Sequence, residues 1–439
     1  MKKLLFAVFV LLSQIGFSQQ LESAIITDTS HSDYDYKQVV RVFDDNRIIV
    51  LSCENGISTF HLFNNGSIIE EKIEITSGDT IIDFCITEDE MVYFCSRNVN
   101  CRVGRFSFNA FFNSSSVETT LLPTGIDTLS KIKTYKDYTG SIYDHVVMLG
   151  EANSYSIILD LNNVNTYPNW ECNVVADSSP HEKLKDIDFD DNHLVVAGLK
   201  SNSLIMHYFD KWNLSHIYGG YFSNPLGIAY NTETLFLKHL YDDKYVTVSD
   251  VFFLPNDVYT YCQIFDLSHQ NQIVFEYERT LMHPQKNIIR DIDYSNDDNE
   301  LLVLMSSGGV GDDKWKDFVV YAPLDQGLPL PAQIKAIYLS YNNKYPYFNS
   351  IRMYKPYNYL LAGVESMHTN MLLFAKDKTQ DTPTSCNKYD YIKMSGSDVN
   401  VGDSQLGVSP QNPFAITWGN SLWQTPSSEK LSLDCHSTN

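Results

Sequence analysis

The chain has 439 residues, of which 43% are hydrophobic and 13% aromatic, and its 54 acidic against 32 basic side chains leave a formal charge of −22. That acidity speaks against nucleic acid and anionic membrane surfaces as partners, since both would repel it. The length suits one large repeat domain with a tail, and 28 Tyr with 24 Phe suit pleated, half-buried strands.

Residues 1–18 of MKKLLFAVFVLLSQIGFSQQ read as a secretory signal peptide. Lys2 and Lys3 form the charged start, residues 4–12 the apolar core, and Gly16, Phe17 and Ser18 the small-residue cleavage region. The core is too short to span a bilayer, and no later segment reaches that length. No Cys follows the core, which argues against a lipoprotein anchor. Cleavage removes two lysines and makes the mature chain more acidic. The junction Phe17-Ser18-Gln19 resembles signal peptides of the Bacteroidetes phylum. An exported protein is therefore expected, in the periplasm, on the outer cell surface or outside the cell.

After the signal segment the same strand pattern recurs. A short strand ends near an anchor, and anchors fall at Phe43, Cys85, Tyr135, Phe189, Tyr241, Tyr294 and Tyr354. Their spacing, roughly 40–60 residues, is that of four-stranded propeller repeats with loop insertions. The second strand of each copy is a near-continuous apolar run: RIIVLS from Arg47, MVYFCS from Met91, HVVMLG from His145, HLVVAG from His193, YVTVSD from Tyr245, ELLVLM from Glu300 and YLLAGV from Tyr359. Such runs mark strands buried on both faces. Third strands follow, among them ISTFHLF, YSIILDL, SLIMHYF and DFVVYAP.

The expected fold is all-β, a β-propeller over residues 19–378, with seven blades of four antiparallel strands and a C-terminal appendage over 379–439. A β-sandwich pair, or a ring of six or eight blades, is the competing reading. LESAIITD, residues 21–28, is a candidate outer strand to close the last blade and remove open edges. The resemblance is to the propeller superfold and to no named family. No Trp-Asp dipeptide occurs, Gly-Gly is not repeated per blade, and the sialidase-type Asp box is missing.

Eight cysteines in an exported chain permit disulfides. Cys95 and Cys101 flank one predicted turn, and Cys386 and Cys435 bracket the tail, so these are the candidate pairs. No Cys-x-x-Cys or Cys/His spacing suggests zinc. The tail opens with the linker-like TQDTPTSCNKYD and carries Trp418 and Trp423. It either packs across the propeller or presents itself to a partner.

Two acidic clusters, DIDFDDN and DIDYSNDDN, are the strongest chemical signal. Carboxylates spaced by two share one side of a strand, which puts Asp186 with Asp188, and Asp291 with Asp293, toward the central channel. Crowded there, they are candidate ligands for a structural Ca²⁺. The calcium-loop pattern is absent, however, and turn carboxylates commonly bond their own backbone. Arg290 and Arg352 sit beside the first strands of the last copies and complete the candidate ligand-binding set. The Gly-rich SSGGVGDDKW lacks the ending of a phosphate loop and reads as an enlarged hairpin loop. No nucleophile motif is present, so no catalytic residue is assigned. The expected function is an exported, non-catalytic binding or scaffold protein that uses propeller-face loops to engage a protein or glycan at the cell envelope. The alternative is a secreted glycan-active hydrolase or lyase on the same scaffold.

Overall fold

The computed structural model describes most residues between 39 and 377 and, beyond them, only short strands of the tail, the last ending at Lys430. Residues 1–38, including the signal segment and the candidate closing strand, lie outside the described residues. So do loop residues 309–314, Trp418, Trp423, Cys386 and Cys435.

The first sheet comprises β1 (Val39–Val42), β2 (Arg47–Glu54), β3 (Ile57–Asn64) and β4 (Ile69–Ile75). The second has β5 (Thr80–Ile86), β6 (Met91–Arg97), β7 (Arg102–Ser107) and β8 (Glu118–Leu121). The third has β9 (Ile126–Lys136), β10 (Asp144–Ala152), β11 (Tyr155–Asn162) and β12 (Trp170–Asp177). The fourth has β13 (Glu182–Phe189), β14 (His193–Lys200), β15 (Ser203–Asp210) and β16 (His216–Ser223). The fifth has β17 (Ala229–His239), β18 (Lys244–Phe253), β19 (Asp257–Asp266) and β20 (Val274–Leu281). The sixth has β21 (Lys286–Ser295), β22 (Glu300–Gly308), β23 (Trp315–Pro323) and β24 (Lys335–Leu339). The seventh holds β25 (Tyr347–Lys355), β26 (Asn358–Val364) and β27 (Met371–Asp377).

All neighbours within a sheet are antiparallel. The first strand of each sheet packs on the first strand of the next, and β25 packs on β1, so the sheets close into a ring. The fold is a β-propeller. Its only helical element among the described residues is the 3-10 turn Phe108–Phe111.

The core lies in the seams between sheets. Val195, Ala197, Leu204 and Met206 of the fourth sheet pack toward the fifth. Leu194, Val196 and Ile205 of the same strands pack toward the third. A second strand thus buries both of its faces, and this is why its sequence is continuously apolar rather than alternating.

A β-bulge recurs in the first strand. Pairing with the second strand passes from Ile81 to Asp83, from Leu184 to Asp186 and from Ile289 to Asp291, each time leaving one residue out. β9 and β25 do the same before Lys131 and Ser350. Three second strands answer the bulge with glycine. A Cβ on Gly150 would lie 2.5 Å from the Thr128 carbonyl oxygen, one on Gly198 2.8 Å from Leu184 Cα, and one on Gly363 2.6 Å from Phe348 Cα. The obstacle is backbone in each case and cannot rotate away.

The tail strands add to outer edges. β28 (Asn387–Tyr391) pairs with β24, β29 (Met394–Ser395) with β20, β30 (Phe414–Ile416) with β12, β31 (Gly419–Asn420) with β8, and β32 (Ser427–Lys430) with β4. The tail therefore travels around the ring against chain order, from the sixth sheet back to the first.

The expected Cys95–Cys101 disulfide is not formed. Cys95 pairs with Val103 across the hairpin, so Cys101 does not stand opposite it, and both thiols are buried and reduced in the apolar seam between sheets two and three. Among the described residues no helix is long and apolar enough to cross a membrane.

Substituting Gly198→Ala forces a methyl group into the β13 backbone and should cost about 1–3 kcal/mol. Urea denaturation of the variant beside wild type checks this. Unchanged stability would show that the bulge has room to yield.

Candidate functional site

A first strand pairs on one side only, so its other edge presents backbone N–H groups toward the ring centre or the preceding sheet. Buried N–H groups require acceptors. Side chains of the preceding sheet supply them in two rows. In one, Ser58 Oγ accepts from Ile81 N at 3.1 Å, Ser156 Oγ from Leu184 N at 3.0 Å, and Asp250 Oδ2 from Ile289 N at 3.1 Å. In the other, Asp83 Oδ2 accepts from Ile132 N at 3.2 Å, Asp186 Oδ2 from Leu237 N at 2.9 Å, and Asp291 Oδ2 from Ile351 N at 3.0 Å. The bulge aims this second row, and the other oxygen of each Asp accepts the N–H of its own following residue.

One turn of the pleat further on, Asp188 Oδ2 accepts from His239 N at 2.8 Å and Asp293 Oδ2 from Met353 N at 2.7 Å. Asp186, Asp188, Asp291, Asp293 and Arg352 all lie on the first strands of their sheets. Asp186, Asp188, Asp291 and Arg352 line a cavity of about 240 Å³ in the channel, together with Arg41, Lys131, Lys133 and Lys238. Arg290 is different. It is the residue left out at the bulge, its Nε donates to Ser306 Oγ at 3.0 Å, and its guanidinium lies 5.6 Å from the Tyr347 ring centroid. It serves the seam between sheets six and seven rather than the channel.

Cations answer the carboxylates. Arg41 meets Asp83 at 2.6 Å, Lys133 meets Asp188 at 3.0 Å, Lys238 meets Asp293 at 2.6 Å and Arg352 meets Asp291 at 2.5 Å, with Lys131 at 3.7 Å from Asp186. Burial opposes the charge on Lys131, Lys238 and Arg352, but the carboxylates outweigh it and raise all three pKa values. Burial likewise opposes ionisation of Asp188 and Asp293, yet Lys133 and Lys238 hold both below the usual carboxylate range. At Arg41 burial outweighs Asp83 and lowers the pKa. The channel is a ring of paired charges, and its carboxylates are engaged by cations and backbone N–H groups rather than gathered for Ca²⁺. The sequence signal for the cations was present in SKIKTY (Lys131, Lys133) and in Lys238, at the same alternation as the aspartates.

Above the channel lies a wider cavity of about 640 Å³, whose floor is Asp188 and Lys238 and whose wall includes Phe189, Tyr241, Tyr294 and Asn296. The wall is fixed locally. Tyr294 Oη donates to Asn299 Oδ1 at 2.8 Å, and the ring of His239 reaches the Asp242 carbonyl at 2.7 Å. Asn299 and Asp242 both adopt φ of 48°, a left-handed turn conformation that Asn and Asp tolerate best among non-glycine residues.

A histidine pair sits elsewhere, on adjacent strands of the fourth sheet. His207 Nδ1 lies 3.2 Å from His216 Nε2, and His207 Nε2 is buried without a hydrogen bond. Burial, then His216, push His207 down to about 4.

No protein-family model matches the chain, and no curated protein sequence does. Solved structures of similar shape are propellers. Sqt1 from Chaetomium thermophilum is similar at 10% identity and a TM-score of 0.49, over 80% of this chain and 98% of that one. YCF48 bound to D1 peptide gives 9% and 0.47 over 81% and 99%. The Dos1 propeller gives 8% and 0.43 over 75% and 74%. The likeness extends to the fold alone.

Two outcomes follow. Asp291→Asn removes the charge that faces Arg352 and should destabilise the protein by about 3–5 kcal/mol, as breaking a buried pair does. The same change at exposed Asp297 should leave the melting temperature unchanged. For His207, the unfolded chain takes up a proton near 6.5 and the folded one only near 4. Between these values the unfolded state binds more protons, so stability falls as pH is lowered through that window. His207→Leu should flatten this slope in melting temperatures recorded from pH 7 to pH 4.

Proposed function

We propose that this chain is an exported, non-catalytic binding or scaffold propeller that holds a protein or glycan of the cell envelope at its channel mouth. The observation that carries the reading is the mouth itself: the aromatic side chains of Phe189 and Tyr241 beside the amide side chain of Asn296, over a floor of paired charge. Aromatic faces with adjacent amides suit a ligand that offers a flat apolar ring and polar edges, as a sugar or a peptide side chain does.

The glycan-active alternative requires one carboxyl group to stay protonated as general acid. In the channel, Asp188 and Asp293 are shifted the opposite way, by Lys133 and Lys238. Burial also raises Asp243, which stands beside His193, and it pushes Asp317 up to about 6. Asp317 is fully enclosed in a seam, where it accepts from Ser306 Oγ and Phe348 N, and no substrate reaches it. Export is supported by the N-terminal signal pattern.

The purified chain is tested for retention on a panel of polysaccharides and envelope-protein peptides, with new sugar ends assayed in parallel. Retention without release is expected, and Tyr241→Ala or Asn296→Ala should weaken it by about tenfold, the loss of one well-placed contact. Release of sugar ends would transfer the protein to the enzyme class. Retention that ignores both substitutions would remove the mouth as the site.

A further inference from the structure

We propose that Asp190, His193 and Asp243 form a binding site for a divalent transition-metal ion of the zinc class, at the seam between sheets four and five. Asp190 comes from the turn between β13 and β14, His193 is the first residue of β14, and Asp243 comes from the turn between β17 and β18. The site is separate from the mouth cavity, and the inference stands independently of the binding function proposed above.

Geometry comes first. His193 Nδ1 lies 3.1 Å from Asp190 Oδ2 and 3.7 Å from Asp243 Oδ1, and the ligand atoms all lie within 4.8 Å of one another. A tetrahedral zinc ion with bonds of about 2.0–2.2 Å places its ligand atoms roughly 3.3–3.6 Å apart. The observed separations bracket that range, so small side-chain rotations bring the three atoms onto one ion and leave a fourth position for water.

Charge is the second observation. Each channel aspartate discussed above faces a lysine or arginine. Among the described residues the side chain shared by the Asp190 and Asp243 carboxylates is the His193 imidazole, while the Tyr245 hydroxyl meets Asp190 alone and Lys211 Nζ donates to the Asp190 backbone carbonyl at 2.7 Å. Asp210 acts on His193 as a further negative charge, and Asp242 and Asp266 act likewise on Asp243. Five carboxylates thus act on a spot that holds the His193 imidazole and the Lys211 ammonium.

Outer contacts fix the most buried ligand. Asp190 Oδ1 accepts from Asn192 N and His193 N, both at 2.6 Å, and its Oδ2 accepts from the buried Tyr245 hydroxyl at 3.1 Å. Such contacts orient metal ligands and are part of a built site. One imidazole with two carboxylates suits zinc or its first-row neighbours, whereas calcium requires six or more oxygens. The ion takes the Nδ1 lone pair of the neutral His193 imidazole, whose one proton then sits on Nε2, and nothing is oxidised.

The full chain is stripped with EDTA and titrated with Zn²⁺ by calorimetry, with Ca²⁺ as comparator. Co²⁺ absorption in the visible range reports the ligand field. Stoichiometric Zn²⁺ binding is expected, with a tetrahedral Co²⁺ spectrum and no response to Ca²⁺. Asp243→Asn and His193→Gln should each weaken Zn²⁺ binding by about tenfold or more. Asp243 stands at the rim with its side chain 31% exposed, so its variant folds and decides the matter even where His193→Gln does not. Absence of Zn²⁺ binding, an equal response to Ca²⁺, or affinity unchanged by Asp243→Asn would each overturn the proposal.

Discussion

The structure depends on what happens to the backbone N–H groups at the inner edge of each first strand. A propeller sheet has no neighbouring strand there, and a buried N–H left without an acceptor costs about 1–3 kcal/mol. This chain supplies the acceptors from the preceding sheet. Ser58, Ser156 and Asp250 serve one row, and Asp83, Asp186 and Asp291 serve the other. Each bond satisfies a donor and joins one sheet to the next, so hydrogen-bond accounting and ring closure are one problem with one solution.

The choice of carboxylates has consequences. A buried anion needs a partner, and the partners are Arg41, Lys131, Lys133, Lys238 and Arg352 on other inner strands. The channel is thereby filled with interlocked charge and is poorly suited to open and admit a ligand. The binding proposed above is for that reason placed at the mouth, whose cavity is lined by Tyr241, Tyr294 and Asn296. A carboxylate also has to be aimed, and the bulge before Asp83, Asp186 and Asp291 does this at the cost of a backbone protrusion. Gly150, Gly198 and Gly363 are what that protrusion requires.

The repeat was legible because a strand buried on both faces has a signature that survives divergence. The runs beginning at Arg47, Met91, His193 and Glu300 all proved to be second strands. The pairs Asp186 with Asp188 and Asp291 with Asp293 were likewise placed correctly by alternation alone. Arg290 stands apart from the aspartates because alternation fails at a bulge, where one residue is left out of the pairing. The lysines were legible beside the aspartates: Lys131 and Lys133 are spaced by two, and Lys238 stands three residues before Tyr241 as Asp186 does before Phe189. The Cys95–Cys101 pairing failed on register too, since sequence proximity around a turn does not say which residues stand opposite. Asp243 in the proposed metal site was beyond reach, because its partners lie in a different repeat.

The seams differ in the chemistry of their described contacts. Between sheets six and seven, Asp291 accepts from Ser350, Ile351 and Arg352, Asp293 from Met353, and the Tyr321 and Tyr359 hydroxyls meet at 2.7 Å. Between sheets seven and one, where the two ends of the ring meet, the described hydrogen bond is from Val40 N to Ser350 Oγ at 3.3 Å. Both of its groups are neutral, and a neutral hydrogen bond has roughly half the strength of a charge-assisted one. Ser350 compensates in part, because its own proton goes to Asp291, which polarises the hydroxyl that Val40 approaches. The tail acts at the opposite rim. By pairing with β24, β20, β12, β8 and β4 in turn, it ties the sixth sheet to the first along the outer edge. It also covers strand edges that would otherwise invite a second chain. Inner edges closed by side chains and outer edges closed by the chain's own end answer the same requirement, that no row of backbone donors be left without acceptors.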